Sequence, residues 1–458
     1  MIGGKLKEFA DAFGTSLPAS LADREFGGVS IDSRTVKSGN LFFCIVGETH
    51  DGHKFAEEAL TRGAAAVVVD DTHDLEGENY LTVSDTLKSL GDLARFYLRR
   101  MSARKVAITG TNGKTTCKNL TAAMLSGSYR VCATSGNYNN LYGVPLSIFE
   151  FDPACEVAVF EFGMSTPGEI SRLVDIVDPD IRVILNIGPA HLETMHTVEA
   201  IADAKFEILE SAKANDWAVL NLDDPLIVSR YGRAAISHLG FATTNESDIK
   251  PEHIYNNGSG HTHFLLEGED FRLPILGRHH LHNALAAFAV ARLLDVPTAD
   301  IKDRLESYQS QGNRMQRFEL AGVSIINDAY NANPVSVNGA LETIEALAVR
   351  GRRIMVFGDM LELGAEAEKL HAEVGARIAA SGIERLLLMG DFAIAVQTAA
   401  LAAGLDSDKV TIHQTQNELA EALISELRDG DLVLLKASRA LQFEQIEKAL
   451  RDELGRNN

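Results

Sequence analysis

The stretch ITGTNGKTTCKNL, residues 108–120, decides how this chain folds. An apolar run, Val106–Ile108, leads into it, and a helix-compatible stretch, Thr115–Leu125, leads out. Between them lie Gly110, Thr111, Asn112, Gly113, Lys114, Thr115 and Thr116. Strand, glycine-rich turn and helix in this order make a phosphate cradle. Glycines let the backbone approach closely, N–H groups at the helix start face an anion, and Lys114 adds a point charge. Thr115 or Thr116 offers a hydroxyl to magnesium. A full GxxxxGK[ST] loop would need glycine at position 108, which holds Ile, so the strict pattern fails. The plainer reading is a strand-to-helix turn with no ligand.

The same strand-then-helix rhythm runs outward in both directions. From about residue 104 to 310 the strand-like runs KVAIT (105–109), EVAVFEF (156–162) and IRVILNI (181–187) alternate with helical patterns, as a parallel sheet requires. An Asn/Gly-rich, β-like stretch from His238 to Leu276 is expected to decorate this unit. From about residue 312, RIMVFGD (353–359), RLLLMGD (385–391) and DLVLLKAS (431–438) repeat the alternation and read as a smaller Rossmann-like, doubly wound domain. Ahead of residue 84, short strands at Val29–Ile31, Leu41–Val46, Ala65–Val69 and Tyr80–Val83 surround a helix over Lys54–Arg62, and a further helix spans Asp85–Arg100. The expected fold class is therefore α/β in three domains: 1–83, a central phosphate-loop domain over 84–311, and 312–458. Ligands of open parallel sheets bind beyond the carboxyl ends of the strands. Here those ends carry Gly110–Lys114, Glu161, Asn186–His191, Asp359 and Lys436–Ser438.

Composition narrows the function. A length of 458 residues allows two to four domains, and no apolar run reaches membrane-spanning length. The amphipathic N-terminus lacks the apolar core of a signal peptide. Four cysteines (Cys44, Cys117, Cys132, Cys155) form no CxxC pair, which suits a reducing cytoplasm. A net charge of −21 argues against broad nucleic-acid binding and requires any phosphate site to be locally basic or metal-assisted. No heptad repeat suggests a coiled-coil dimer, so a monomer is expected.

Three further residues invite a metal. Glu161 interrupts an apolar strand end; a helix cap is its plainer role. His191, in NIGPAHLETM, is a ligand or a surface histidine; His196 lies five residues on, not at the i, i+4 spacing of a helical metal site. Lys205 falls four after Ile201 and three before Ile208, on the buried stripe of its helix, as a snorkelling lysine or a buried amine.

GTNGKTT resembles the ATP loop of the Mur ligase superfamily, which joins a carboxylate to an amine at the expense of ATP and includes folylpolyglutamate synthases. SGNYNNLYGVPLSI (135–148), EFGMSTPGEI (161–170), RMQRFELAGVSIINDAYNANP (314–334) and GDMLELGAEAEKLHAEVG (358–375) resemble one branch of it. That branch adds D-alanyl-D-alanine to UDP-N-acetylmuramoyl-tripeptide. The Asp-Asn-Pro-Arg motif of the preceding ligase is absent. The resemblance runs from Asp32 to Ser438. It implies ATP and magnesium as cofactors, with Lys114, Lys205, His191 and Arg314 catalytic. It also implies Thr115, Glu161, His191 and a carbamylated Lys205 at the metal. The nucleotide contacts it implies are the loop residues, Asn283, Arg314 at the γ-phosphate, Asp328 at the ribose, Tyr330 and Asn331. The substrate contacts are Asn137, Asn139, Asn140, Asn333, Lys436 and Ser438. In SIDSRTVKSGNLFFCIVGETHDGHKF (30–55), similar to the family's uridine-nucleotide domain, Ser33 and Arg34 would hold the diphosphate, with Asp51 and His53 closing a loop beside it. A purely structural role for Asp51–His53 fits those residues as well.

Two positions depart from the pattern. The family motif GxHNxxNALAA reads GRHHLHNALAA here, with His280 in place of the first Asn, and the KGS segment reads KAS. The three histidines 279, 280 and 282 also raise a transition-metal site. The rival functions are a sister ligase, a nucleotide-binding regulator that does not ligate, and a phosphotransferase that forms no amide.

Overall fold

The computed structural model describes residues 3–8, 17, 19–47, 50–73, 75, 77–232, 236–256, 260–309, 312 and 314–455. Its centre is a six-stranded, all-parallel sheet. The order is Ser237–Phe241, Trp217–Asn221, Ile181–Ile184, Arg104–Thr109, Val157–Glu161, Val131–Ala133. Arg104–Thr109 is the hinge of this topology: the chain leaves it towards one edge and later returns on its other side. That reversal opens a crevice at its carboxyl end, where the phosphate loop begins.

The middles of the inner strands are mostly apolar because both faces are covered, with Arg182, fully buried and paired with Asp216, as the exception. Val106 and Ile108 face the helices Lys114–Leu125 and His280–Leu293, while Ala107 turns to the opposite face with Ala158 and Phe160. The run NALAAFAVA, 283–291, presents small side chains, so His280–Leu293 lies close against Lys114–Leu125. The second core is shared with the N-terminal unit. Leu90, Leu93 and Ala94 of the helix Thr86–Leu98 pack between Leu41, Phe43 and Val68 on one side and Ile148, Leu173 and Val174 on the other.

The N-terminal sheet has four parallel strands, Val29–Ser30, Leu41–Phe43, Ala66–Asp70 and Tyr80–Val83. The expected helix over 54–62 is a 3-10 turn, Gly52–Phe55, followed by Ala56–Thr61. The β-like stretch His238–Leu276 divides in two: its start completes the central sheet, and 253–276 forms a separate three-stranded antiparallel sheet. The C-terminal sheet has six strands in the order Gln316–Leu320, Val323–Asn327, Leu432–Lys436, Arg353–Gly358, Arg385–Met389, Val410–Ile412. Only the first pair is antiparallel. Among the described residues no helix is long and apolar enough to cross a membrane.

Candidate active site

A cavity of about 550 Å³ opens where the carboxyl ends of the central sheet meet the C-terminal unit. The phosphate loop forms its floor. Gly113, at φ +81°, precedes the helix, and a Cβ there would collide with the side-chain amide of Asn283, so only glycine fits. Lys114 Nζ donates to the carbonyls of Gly110 and Thr111, 2.8 and 3.2 Å away. Burial lowers its pKa; Glu161 opposes that shift and Arg314 adds to it. Asn186, just past the strand Ile181–Ile184, pins the loop by exchanging two bonds with the backbone of Asn112, at 2.8 and 3.0 Å.

Glu161 ends its strand inside the cavity rather than capping a helix. Its carboxylate accepts from Thr115 Oγ1 at 2.6 Å and from Asn139 Nδ2 at 2.8 Å. One buried carboxylate thus ties the phosphate loop to the NYNN segment. Behind it, the fully buried Lys118 donates to the carbonyls of Thr134 and Gly136, fixing the turn from which Asn137 and Asn139 project. Asn140 does not line the cavity; its Oδ1 accepts from Gly143 N at 2.9 Å.

The C-terminal unit closes the other wall. The guanidinium of Arg314 lies 3.9 Å from the ring centroid of Tyr330. Lys436, buried, pairs with Asp328 at 2.7 Å and donates to the carbonyl of Asn331 at 2.7 Å. Asn333 caps the helix Pro334–Glu345 through Ser336 N, and its amide exchanges bonds with the amide of Asn112 at 2.7 and 3.2 Å. His191, at φ 52°, places Nδ1 2.5 Å from Glu362, which this contact holds below the usual carboxylate range. Polar contacts therefore join the units at two places, one at the phosphate loop and one at the far side of the cavity, where Glu193 N also donates to the Glu362 carbonyl at 3.3 Å. Ser438 lies behind the wall, where its hydroxyl accepts from Leu361 N at 2.9 Å.

Lys205 is 2% exposed and has no hydrogen-bond or ion-pair partner among the described residues. Burial, reinforced by the charge of Lys114, drives its pKa well below the ordinary lysine value.

The GRHHLHNALAA motif, residues 277–287, sits on the cavity wall. His279, His280, His282 and Asn283 all line it. His282 Nε2 meets Asp223 Oδ2 at 2.9 Å. Burial raises the Asp223 pKa, but hydrogen bonds from Thr244, Asn245, Thr243 and His282 outweigh it and hold the carboxyl well below its usual range. The three histidines are not among the described groups whose ligand atoms cluster at metal spacing. Asp223, Asp224 and Glu362 line the cavity too. Asp224 caps the helix Pro225–Tyr231 through Leu226 N and Ile227 N, a local Asp-Pro signal, whereas the side-chain partners of Asp223 and Glu362 lie 20 to 171 residues away.

Ser33, Arg34, Asp51 and His53 lie in the N-terminal unit, away from this cavity. Ser33 donates to Glu58 at 3.0 Å, and Arg34 pairs with Asp32 at 2.7 Å. Asp51 and His53 belong to a ring the sequence did not suggest. His53 Nδ1 meets Asp51 at 2.8 Å, and Asp51 meets His73 Nε2 at 3.2 Å. His73 Nδ1 meets Asp70 at 2.8 Å, and Asp70 approaches His53 Nε2 at 3.3 Å. Asp51, His53 and His73 bring three ligand atoms to within 4.8 Å of one another. Yet the imidazoles stack 3.7 Å apart and 3° from parallel, and His53 Nε2 accepts from Asp70 N. Parallel rings do not aim their lone pairs at one point, so the ring is a hydrogen-bonded clamp.

Comparison with known proteins agrees with this geometry. Residues 25–97 match the Mur ligase family catalytic domain, 108–291 the Mur ligase middle domain, and 313–439 the Mur ligase glutamate ligase domain. The chain is 36% identical to a UDP-N-acetylmuramoyl-tripeptide--D-alanyl-D-alanine ligase of Bacillus subtilis (strain 168), over 92% of this chain and 93% of that protein. It superposes on MurF from Acinetobacter baumannii with a TM-score of 0.89 at 28% identity, covering 99% of this chain and 100% of the other. A MurF ligase from Thermotoga maritima in complex with ADP gives 0.84 at 30% identity, over 94% and 98%. With its phosphate loop, its cavity between the central sheet and the C-terminal unit and its similarity over nearly the whole length, the chain belongs to the Mur ligase family.

Proposed function

We propose that this chain uses ATP to join D-alanyl-D-alanine to UDP-N-acetylmuramoyl-tripeptide, completing the pentapeptide precursor of peptidoglycan. The observation that carries the reading is the meeting, in one cavity, of the phosphate loop, Glu161, Arg314 and the YNANP segment. The three units divide the work: 1–83 for the uridine nucleotide, 84–311 for ATP, 312–458 for closure and the incoming dipeptide. Ser33, Arg34, Asp51 and His53 serve the first substrate. Asn137 and Asn139 meet its peptide, with Asn140 shaping that loop, and Asn333, Lys436 and Ser438 serve the dipeptide side. The enzyme is a monomer acting in the cytoplasm.

The chemistry follows from charge placement. The terminal carboxylate of the tripeptide attacks the γ-phosphorus of ATP, giving an acyl phosphate and ADP. The dipeptide amine then attacks the acyl carbon, an amide forms, and phosphate leaves. Such steps depend on alignment and on neutralising phosphate charge more than on a strong base. Lys114 sits on its own loop carbonyls, poised to turn towards phosphate oxygens, and Arg314 offers a planar fork from the opposite wall. Loop N–H groups from Gly110 to Thr116 hold the rest of the triphosphate. Asn283 meets the adenine, and Asp328, Tyr330 and Asn331 surround the ribose. Closure of the C-terminal unit excludes the water that would hydrolyse the acyl phosphate.

The donors fit magnesium. Thr115 Oγ1 and a Glu161 oxygen, 2.6 Å apart and buried, are the hard oxygen ligands that ion prefers. His191 completes the set from the cavity edge. The ion, when bound, offsets phosphate charge. Lys205 supports a finer proposal. Burial lowers the pKa of the Lys205 amine, which favours its unprotonated form; that form reacts with carbon dioxide to give a carbamate and a proton, converting a base into an anion that suits a metal site.

The deciding test follows phosphate release from purified protein with ATP, magnesium and UDP-N-acetylmuramoyl-tripeptide, with and without D-alanyl-D-alanine, and identifies the product by mass. Release that needs the dipeptide and yields the pentapeptide is expected. Release with a different amine moves the chain to a sister ligase, and binding without release makes it a regulator. Lys205→Ala is expected to lose activity and to regain part of it with acetate; no recovery argues against the carbamate.

A further inference from the structure

The loop bearing Asn137 and Asn139 keeps its shape with little help from apolar packing. Ser135, Gly136, Asn137 and Tyr138 are all exposed, so polar contacts set its course. At the front, Glu161 accepts from Asn139 Nδ2 at 2.8 Å, and Gly163 N donates to the Asn139 carbonyl at 2.7 Å. At the rear, Lys118 Nζ donates to the carbonyls of Thr134 and Gly136 at 2.5 and 3.0 Å. Gly136, at φ +49°, supplies the turn after which Asn137 joins the cavity wall. The Thr134 hydroxyl in turn accepts from Glu161 N at 3.2 Å, so the rear of the loop is also tied to the strand that ends in the cavity.

Lys118 is a costly anchor. It is 2% exposed, forms no ion pair among the described residues and does not line the cavity. Burial lowers its pKa; the charge of Glu161 opposes that shift and Arg314 adds to it. An ammonium buried without a paired anion carries a desolvation cost that an apolar side chain of similar length, such as methionine, avoids. Core packing alone therefore gives no reason for an amine at this position. What the amine does hold is specific, because both of its acceptors belong to the loop. Thr115 stands three residues earlier on the same helix, Lys114–Leu125, and donates to Glu161, which holds Asn139. The helix that starts at the phosphate loop thus grips the loop from both sides.

We propose that Lys118 is a positioning residue for the first substrate: by holding the carbonyls of Thr134 and Gly136 it sets where Asn137 and Asn139 present their amides to the peptide of the uridine nucleotide. The proposal rests on the reading of Asn137 and Asn139 as contacts to that peptide. Lys118 itself touches neither substrate nor ATP. Its loss is therefore felt at the loop it holds and not at the phosphates.

The test is calorimetry on the full chain, titrated separately with UDP-N-acetylmuramoyl-tripeptide and with a non-hydrolysable ATP analogue plus magnesium. The proteins are the wild type, Lys118→Met and Lys118→Gln. Lys118→Met keeps the length of the side chain and loses the donor. It is expected to bind the tripeptide nucleotide about tenfold more weakly than the wild type, equivalent to ~1.4 kcal/mol, and to bind the ATP analogue as the wild type does. Lys118→Gln retains an N–H donor and should recover part of the loss. A purely stabilising role would move both ligands together or neither. A Lys118→Met protein that binds the tripeptide nucleotide like the wild type overturns the proposal, as does one that weakens both ligands to the same extent. If both variants fail to fold, Lys118 is a stabilising residue and the proposal is likewise overturned. If the wild type itself does not bind the tripeptide nucleotide, the reading of the loop as a substrate contact fails, and the proposal fails with it.

Discussion

Replacing Glu161 with Gln separates a carboxylate that merely braces the loop from one that holds a metal. The carboxylate is 2% exposed and accepts two bonds, from Thr115 and Asn139. Gln has the same shape: its oxygen can still accept from Asn139, and its amide can donate to the Thr115 hydroxyl. Hydrogen bonds to charged groups contribute roughly 1.5–3 kcal/mol and neutral ones about 0.5–1.5. The exchange therefore costs about 1 kcal/mol per bond, or about 2 in all, reduced because a buried charge is removed. For a domain of this size about 1 kcal/mol moves Tm by about 2–4 °C, so Tm should fall by no more than about 8 °C. Turnover should fall much further. Losing one preorganised electrostatic partner of the phosphates typically costs about 10²–10³ in kcat, and loss of a magnesium ligand should also raise the magnesium concentration needed for half-maximal rate. The assay is phosphate release at saturating substrates across a magnesium titration, with Tm measured in parallel. A Glu161→Gln protein that keeps kcat within threefold of wild type at every magnesium concentration would falsify the metal assignment. A Tm loss beyond 15 °C would make the carboxylate chiefly structural.

Two other changes test the same architecture. Gly113→Ala forces a side chain onto a φ of +81° and against Asn283, so nucleotide binding should weaken at least tenfold by calorimetry while the circular dichroism spectrum stays unchanged. The Asp51–His53–Asp70–His73 ring should make stability depend on pH. Hydrogen bonding to Asp70 raises the His73 pKa above 6.5, so its contribution is complete below 6.5 and fades as pH rises through the folded-state value. Burial raises the Asp70 pKa, but hydrogen bonds from His73 and Thr72 overcome this and bring it to about 2 from 3.8, so that contribution is complete above 3.8 and lost as pH falls through about 2. The ring is strongest between these limits. His73→Gln should therefore lower Tm more at pH 6 than at pH 8.5 in thermal melts, and equal losses at both would mean the ring carries no proton-linked stability.

Much of the architecture was legible because buried parallel strands are dominated by apolar residues. The runs 66–69 and 432–435 declare themselves in this way. Edge strands do not. Gln316–Leu320 alternates half-buried with exposed residues, and Val131–Ala133 is only three residues long. Within the site, Lys114 and Glu161 could be read locally, one from its glycine-rich turn and the other from its place in an apolar strand. Asn112 and Asn333 are 221 residues apart, and neither carries a mark of the other. The pairing of Lys436 with Asp328 spans two strand ends of one sheet and is equally silent in the sequence. His53 and His73 stack because two loops beside one sheet converge, a fact of topology rather than of spacing. Propensity and periodicity report what a residue does to its own segment. They do not report which distant segment it will meet.

The paired amides of Asn112 and Asn333 have a consequence for the rhythm of the catalytic cycle. Each side chain gives one hydrogen and takes one, so the contact is neutral and self-complementary. Parting it strands no charge, and water can replace both partners at once. Two neutral hydrogen bonds contribute about 1–3 kcal/mol net. At about 1.4 kcal/mol per factor of ten, this contact alone biases the phosphate loop and the C-terminal unit towards contact by only about five- to a hundred-fold. A bias of that size is small enough for thermal motion to reverse, and the His191–Glu362 contact adds to it. On the ATP reading proposed above, the loop that would grip the triphosphate is the same one whose Asn112 touches the C-terminal unit, so nucleotide binding and the contact between the units share one amide.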